Sequence, residues 1–351
     1  MENSVMTKKT PLTFFFYFLS IILSSLYAGT LSQDILTQNA TYFNSHFTKI
    51  SEVKKSESDA SFIYDLGKCY YFGIGVEESK EKAIKLLIES SRLEESDAAL
   101  LLSYYYLVLK KDTGECLKWL KYSSKEGNLQ AKGLLDYLFF FGGILEFVGI
   151  DDLHSKSFDE IRLRAINGDQ ASQLLLGEIY YANKEYKQAF LAFKEIAEKG
   201  NSVASIALLY MGECYYYGRG VEQSYKRAFE YFSKSESAQL WIGKCYYYGH
   251  GVSQDFSKAF DIFNEILEMD KTNIECKVFL GQSYLFGNGV DVDYKKAVEY
   301  FSNAAGFWNP DGEYWLSYCY YFGKGVDKDL VNALILARMY EMQEGTKSYL
   351  D

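Results

Sequence analysis

From about residue 58 to 349, apolar side chains recur three and four positions apart in short runs, and glycine interrupts the runs at regular intervals. In the first run Ile63, Leu66, Gly67 and Tyr70 fall at i, i+3, i+4 and i+7, which is one face of a helix. Gly73-Ile74-Gly75-Val76 then breaks the pattern, and glycine is the residue that ends a helix in the left-handed conformation without strain. A second run, AIKLLIESS from Ala83, restores the helical spacing. The pattern predicts two helices joined by a tight turn.

The layout returns down the chain. LGKCYYFGIGV from Leu66 is nearly superimposable on MGECYYYGRGV from Met211, IGKCYYYGHGV from Ile242 and LGQSYLFGNGV from Leu280. LSYCYYFGKGV from Leu316 differs in having Ser317 where the others have glycine. The first loop glycines, Gly73, Gly218, Gly249, Gly287 and Gly323, are about 145, 31, 38 and 36 residues apart, so the long gap holds three more units. These are degraded: Ala98 to Gly127 lacks the loop, Ala131 to Asp169 carries a longer insert, and Ala171 to Gly200 has a short turn. Eight units of about 31 to 40 residues are expected. One hairpin alone leaves an apolar face uncovered, so the units must stack. The predicted fold is all-α, an α/α superhelical solenoid of helical hairpins.

Gly67, Gly177, Gly212, Gly243 and Gly281 sit mid-helix, where glycine costs about 1 kcal/mol relative to alanine. Their recurrence predicts a second helix crossing at that point. The small Ala83, Ala228, Ala259 and Ala297 at the start of each second helix fit such a close approach.

The pattern LGxxYxxGxGVxxDxxKAxxYFxxA resembles the Sel1-like repeat, a relative of the tetratricopeptide repeat; the fourth unit, without a glycine loop, is closer to the tetratricopeptide form. The resemblance covers about residues 58 to 349 and departs at Ser317, in the second unit, and in the irregular stretch from Gly142 to Ser157. It implies a superhelical scaffold for protein partners, often in signalling or in secreted and periplasmic proteins of bacteria.

Composition narrows the function. With Tyr 32, Phe 25 and Trp 4, the chain is too aromatic to be disordered, and its two prolines, Pro11 and Pro310, leave the body free for helices. A net charge of -10 without a basic cluster argues against nucleic-acid binding. Lys8 and Lys9 precede an apolar stretch from Leu12 to Leu26 and the small residues Ala28 and Gly29, the layout of a signal peptide. Residues 1–28 are therefore expected to export the protein, with an uncleaved membrane anchor as the alternative. Residues 29–57 are expected to be a helical or flexible N-terminal segment. No later segment is apolar enough to span a bilayer.

Catalytic chemistry finds no foothold. His46, His154 and His250 stand in unrelated contexts, and HExxH, GxSxG and phosphate-loop motifs are absent. Asn288, Asp291 and Asp293 resemble calcium ligands but lack the twelve-residue ligand order. No catalytic residue, metal or cofactor is expected. Asn39-Ala40-Thr41 is a glycosylation sequon in a eukaryotic setting. Cys69, Cys214, Cys245 and Cys319 share one repeat position, and Cys116 and Cys276 replace other small residues. Stacked equivalents lie about 9 to 10 Å apart, beyond disulfide reach. Packed free thiols, or a bridge from Cys69 or Cys319 to an adjoining second helix, both remain open.

A second face of the first helix, about 100° or more from the core face, carries Lys68, Tyr71 and Phe72. In tetratricopeptide-like stacks that face lines a concave groove, and interfaces enrich tyrosine. The expected partner-binding residues are Lys68, Tyr71, Glu213, Tyr216, Lys244, Tyr247, Gln282, Tyr318 and Tyr321, with a protein or peptide in the groove. Positions of the Phe72 type lean towards packing, and the Tyr71 type has the seam between repeats as its alternative. The expected function is an exported, non-enzymatic scaffold. The alternative is a cell-wall or β-lactam-directed enzyme, for which no nucleophile with its base can be named.

Overall fold

The computed structural model describes residues 31–52, 59–142, 154–200 and 203–347. The predicted signal segment and most of the irregular stretch ahead of Ser157 lie outside them. The described residues form helices joined by short loops, without a strand among them, and they form two compact bodies, one from residues up to Gly143 together with those from Tyr294 on, the other from the residues between.

The first body contains α1 (Leu31–Gln38), α2 (Ala40–Glu52), α3 (Ala60–Phe72), α4 (Lys80–Arg92), α5 (Ser96–Tyr105), α6 (Thr113–Lys125) and α7 (Leu129–Gly142). The second contains α8 (His154–Ile166), α9 (Gln170–Ala182), α10 (Tyr186–Lys199), α11 (Ala204–Tyr217), α12 (Tyr225–Phe232), α13 (Gln239–Tyr248), α14 (Phe256–Met269) and α15 (Ile274–Phe286). α16 (Tyr294–Gly306), α17 (Pro310–Phe322) and α18 (Leu330–Lys347) return to the first body. Within each body, consecutive helices pack in antiparallel pairs that stack on their neighbours.

Local chemistry sets the hairpins. Asp59, Ser79, Ser224, Asp255, Asn309 and Asp329 each accept a backbone N–H of the following first turn, so both helices of a unit start at a capped position. Ser90, Ser123 and Ser235, in or just after the second helix, donate to the carbonyls of Ala60, Ser96 and Ser205 at 2.6, 2.7 and 2.6 Å, which ties the open end of each hairpin. The glycine loop ties the units to one another. A Cβ on Gly251, whose φ is +76°, would lie 2.1 Å from the carbonyl oxygen of Tyr225. The loop rests against the first turn of the preceding unit's second helix, and only glycine allows that approach.

The mid-helix glycines have the predicted cause. A Cβ on Gly212 would meet the Phe232 ring at 2.3 Å, and Phe193 and Phe263 lie over Gly177 and Gly243 in the same way. Ser317 departs from this rule together with its neighbour. Ala337 stands where other units have Phe232, Phe263 and Phe301 and the first has Leu87, and the freed space holds the Ser317 hydroxyl, which donates to the carbonyl of Ala333 at 2.7 Å. In the second unit a π-turn over Tyr106–Lys110, closed by Lys111 at φ +54°, takes the place of the glycine loop.

The two ends of the repeat region meet inside the first body. Tyr104 donates to the carbonyl of Met339 at 2.9 Å, its ring lies 5.6 Å from Trp308, and Gln130 donates to the carbonyl of Gly306 at 3.1 Å. A Cβ on Gly75 would lie 2.0 Å from the carbonyl oxygen of Phe43, so α2 occupies the place of a preceding second helix. All six cysteines are buried free thiols.

Candidate interaction surface

Four residues after Gly67, Gly177, Gly212 and Gly243 stands a tyrosine, whose place after Gly281 is taken by Leu285, and the three of these hydroxyls in the second body are bonded to the next glycine loop. Arg219 donates to the Tyr181 hydroxyl at 2.7 Å, Tyr216 bonds Nδ1 of His250 at 2.7 Å, and Asn288 donates to the Tyr247 hydroxyl at 3.0 Å. Arg219, His250 and Asn288 are the variable residues of their GxG loops. Tyrosine and loop together form a lock between adjacent units. The Arg219 guanidinium also lies over the rings of Tyr181, Tyr186 and Tyr217. His250 stacks on Tyr225 with ring centroids 4.1 Å apart, and burial holds its imidazole below the usual histidine range.

One residue after the mid-helix glycine, the second body buries charge. Glu178 accepts from the Tyr210 hydroxyl at 3.1 Å, Glu213 accepts from Tyr181 at 3.2 Å, and Lys244 pairs with Glu275 while lying 4.2 Å over Trp241. Burial raises the Glu178 carboxyl to about 7 against a tyrosine bond that favours its ionised form. Burial raises Glu213 to about 7 as well, against the opposing pull of Arg219 and Lys244. Each bond joins one unit to the next.

The structure therefore divides the residues expected to bind a partner. Tyr71, Glu213, Tyr216, Lys244 and Tyr247 are buried and face the seam between units, because their polar ends are taken or covered by the neighbouring repeat. Lys68, Gln282, Tyr318 and Tyr321 remain half-buried. Lys68 pairs with Asp65 at 2.8 Å, and Tyr321 donates to Gln38 at 2.7 Å. The exposed aromatic positions lie one residue further on: Tyr248 at 47% and Phe286 at 47% in the second body, and Phe322 at 52% in the first. These are positions that the sequence leaned towards packing, and only Phe72 among them is fully buried. Neighbours 100° apart on a helix exchange roles when the next unit's loop covers one of them.

Among the described residues no group of three or more His, Cys, Asp or Glu side chains is placed to hold a metal ion. Of the calcium-like set, Asn288 belongs to the Tyr247 lock. No described helix is long and apolar enough to cross a membrane. Burial pushes the thiols of Cys69, Cys245 and Cys319 up to about 12, the behaviour of packed core groups rather than nucleophiles.

Solved structures with a similar course include a Sel1 repeat protein from Oxalobacter formigenes, 21% identical over 100% of this chain and 96% of its own, with a TM-score of 0.45. A protective antigen of uropathogenic Escherichia coli strains displaying an SLR fold is 19% identical over 98% of this chain and 85% of its own, with a TM-score of 0.40. A sel1 repeat protein from Klebsiella pneumoniae subsp. pneumoniae is 18% identical over 55% of this chain and 97% of its own, again at 0.40. At such identities and scores these likenesses add nothing to what the repeats themselves show about function. The Sel1 repeat family model matches residues 60–94, 96–128, 205–237, 236–268, 274–305 and 310–339, just over half of the chain. Two expected units, between residues 131 and 200, carry no match, yet α9 and α10 form a hairpin there with Phe193 over Gly177. The helical hairpins, their glycine loops and these six matches together place the chain in the Sel1 repeat family.

Proposed function

We propose that the protein is an exported, non-enzymatic scaffold that holds a protein or peptide partner on the exposed aromatic positions at the ends of its first helices. The family is typically one of protein-interaction scaffolds, and this supports the class of function. The observation that carries the choice of surface is the exposure of Tyr248 and Phe286 at one repeat position while their neighbours Tyr247 and Leu285 are buried. Large aromatic side chains held at a fixed spacing offer contact area with few torsions to freeze.

A single variant carrying Tyr248→Ser and Phe286→Ser tests the surface. Capture of a partner from the native source is expected to fall at least tenfold with helicity unchanged, whereas Tyr247→Phe leaves capture as it was. Equal capture by both variants removes the aromatic positions from the binding surface. Export rests on the basic and apolar N-terminus, and intact mass of the purified protein tests it: a mature chain beginning near Gly29 is expected, and a mass that includes Met1 points to the uncleaved anchor.

A further inference from the structure

The N-terminal helix α1 touches the last repeat rather than a unit of its own. Ile35 is fully buried in one apolar cluster with Ala333, Leu334 and Ala337 of α18, and Leu36 packs against the same cluster. Ser32 bonds the Glu341 carboxylate, which also pairs with Arg338 at 3.5 Å, and the Tyr321 hydroxyl of α17 donates to Gln38 at 2.7 Å. Every stacked repeat array ends in a unit whose outer apolar face needs a cover. Here the chain's own α1 supplies the cover, while α2 supplies the neighbour for the first glycine loop at Gly75.

Three features make α1 a ligand as much as a part of the fold. It is eight residues long, and isolated helices of that length are marginal in water, so docking on α18 is what orders it. Only Asn39 separates it from α2. Its contacts are those of a recognition helix, with an aliphatic anchor at Ile35 between small or amide groups at Ser32 and Gln38.

We propose that the face of α17 and α18 bounded by Tyr321, Ala333, Ala337 and Glu341 is a helix-docking site, with α1 as its resident and displaceable occupant. The ligand it fits is an amphipathic helix presenting a hydroxyl three residues before an aliphatic anchor and an amide three residues after it. α1 then acts as an autoinhibitory arm: a competing helix binds only when the arm leaves. This reading is independent of the aromatic surface proposed above and can fail without it.

The test uses the full-length chain and a fluorescein-labelled peptide of residues 29–40 as the probe, read by fluorescence anisotropy. Ile35→Lys removes the anchor and frees the site. Ser32→Cys with Glu341→Cys, bridged by a short bismaleimide, holds the arm in place, since the six native thiols are buried. The peptide is expected to bind Ile35→Lys at least tenfold more tightly than wild type and not to bind the bridged protein. Absence of binding to Ile35→Lys, or equal binding to all three, overturns the proposal. If Ile35→Lys loses helicity, the Ser32→Ala, Gln38→Ala double variant replaces it with the same expected order.

Discussion

The two bodies are built from the same hairpin but join their units differently. In the second, each tyrosine four after a mid-helix glycine gives its hydroxyl to the following loop through Arg219, His250 or Asn288, and Glu178, Glu213 and Lys244 run a second line of buried polar bonds beside it. In the first, the second unit has a π-turn instead of a loop, so the equivalent Tyr71 hydroxyl has no partner among the described residues. Lys80 lies 3.9 Å over the Tyr71 ring instead. A missing loop thus changes the unit before it as well as the one it belongs to. The first body is held instead by contacts between distant ends of the chain, with Tyr104 against Trp308 and Ile35 in the α18 cluster.

The largest effect should come from the second loop glycines, and it tests whether α1 and α2 behave as a true neighbouring unit. Gly251→Ala forces a side chain onto the Tyr225 carbonyl at a left-handed φ, and Gly75→Ala does the same against Phe43. Each is expected to cost about 4 kcal/mol, the sum of backbone strain and an overpacked contact that cannot relax. Urea unfolding of both variants checks it. A Gly75→Ala loss well below that of Gly251→Ala would show the N-terminal hairpin to be a loose appendage, breaking the equivalence between the bodies.

Protonation of buried carboxyls is the next test, and both bodies have one to offer. Glu178 and Glu213 have folded values near 7, above the ordinary carboxyl range, so the folded state binds protons that the unfolded state has released. Their contribution to stability is complete at pH below the ordinary carboxyl value and is lost as the pH rises towards and through 7. The loss is about 3 kcal/mol per carboxyl as an upper figure. Glu178→Gln keeps an acceptor for Tyr210 and cannot ionise, so it should unfold at higher urea than wild type at pH 8 and at the same urea at pH 4. Burial also raises Glu313 in the first body, where Gln343 is its donor, and Glu313→Gln should show the same pH pattern there. Identical pH slopes for wild type and Glu178→Gln would mean that water reaches the second body's seam.

Much of the fold was legible because its signals are local. The glycine loop, the capping Asp and Ser residues and the glycine beneath a crossing ring each leave a fixed residue at a fixed spacing. The lock was less legible, since its loop partner is Arg, His or Asn and shares a hydrogen-bonding group rather than an identity. The swap of Ser317 for glycine made sense only together with Ala337, twenty positions on. Which of two neighbouring tyrosines is exposed was not legible for a similar reason. Helical spacing distinguishes Tyr247 from Tyr248 by 100°, and which of them faces water depends on where the next unit's loop lies. α1 and α2 carry no repeat signature at all, and their packing on the first and last units is a long-range fact.

The smallest effect is also the one that separates the bodies by sign. Tyr247→Phe removes an inter-unit hydrogen bond and leaves the Asn288 amide without its partner, so it should destabilise the second body by about 1 kcal/mol. Tyr71→Phe removes a hydroxyl that is fully buried and unpartnered among the described residues, so no bond is lost and a desolvated polar group disappears. It should stabilise the first body by up to about 1 kcal/mol. Both substitutions delete one oxygen from one tyrosine at the same repeat position, so differences in volume or helix propensity cancel. The midpoints of urea unfolding should therefore move in opposite directions. If both move down, the Tyr71 hydroxyl has a partner in solution, and the missing loop of the second unit is compensated there by water.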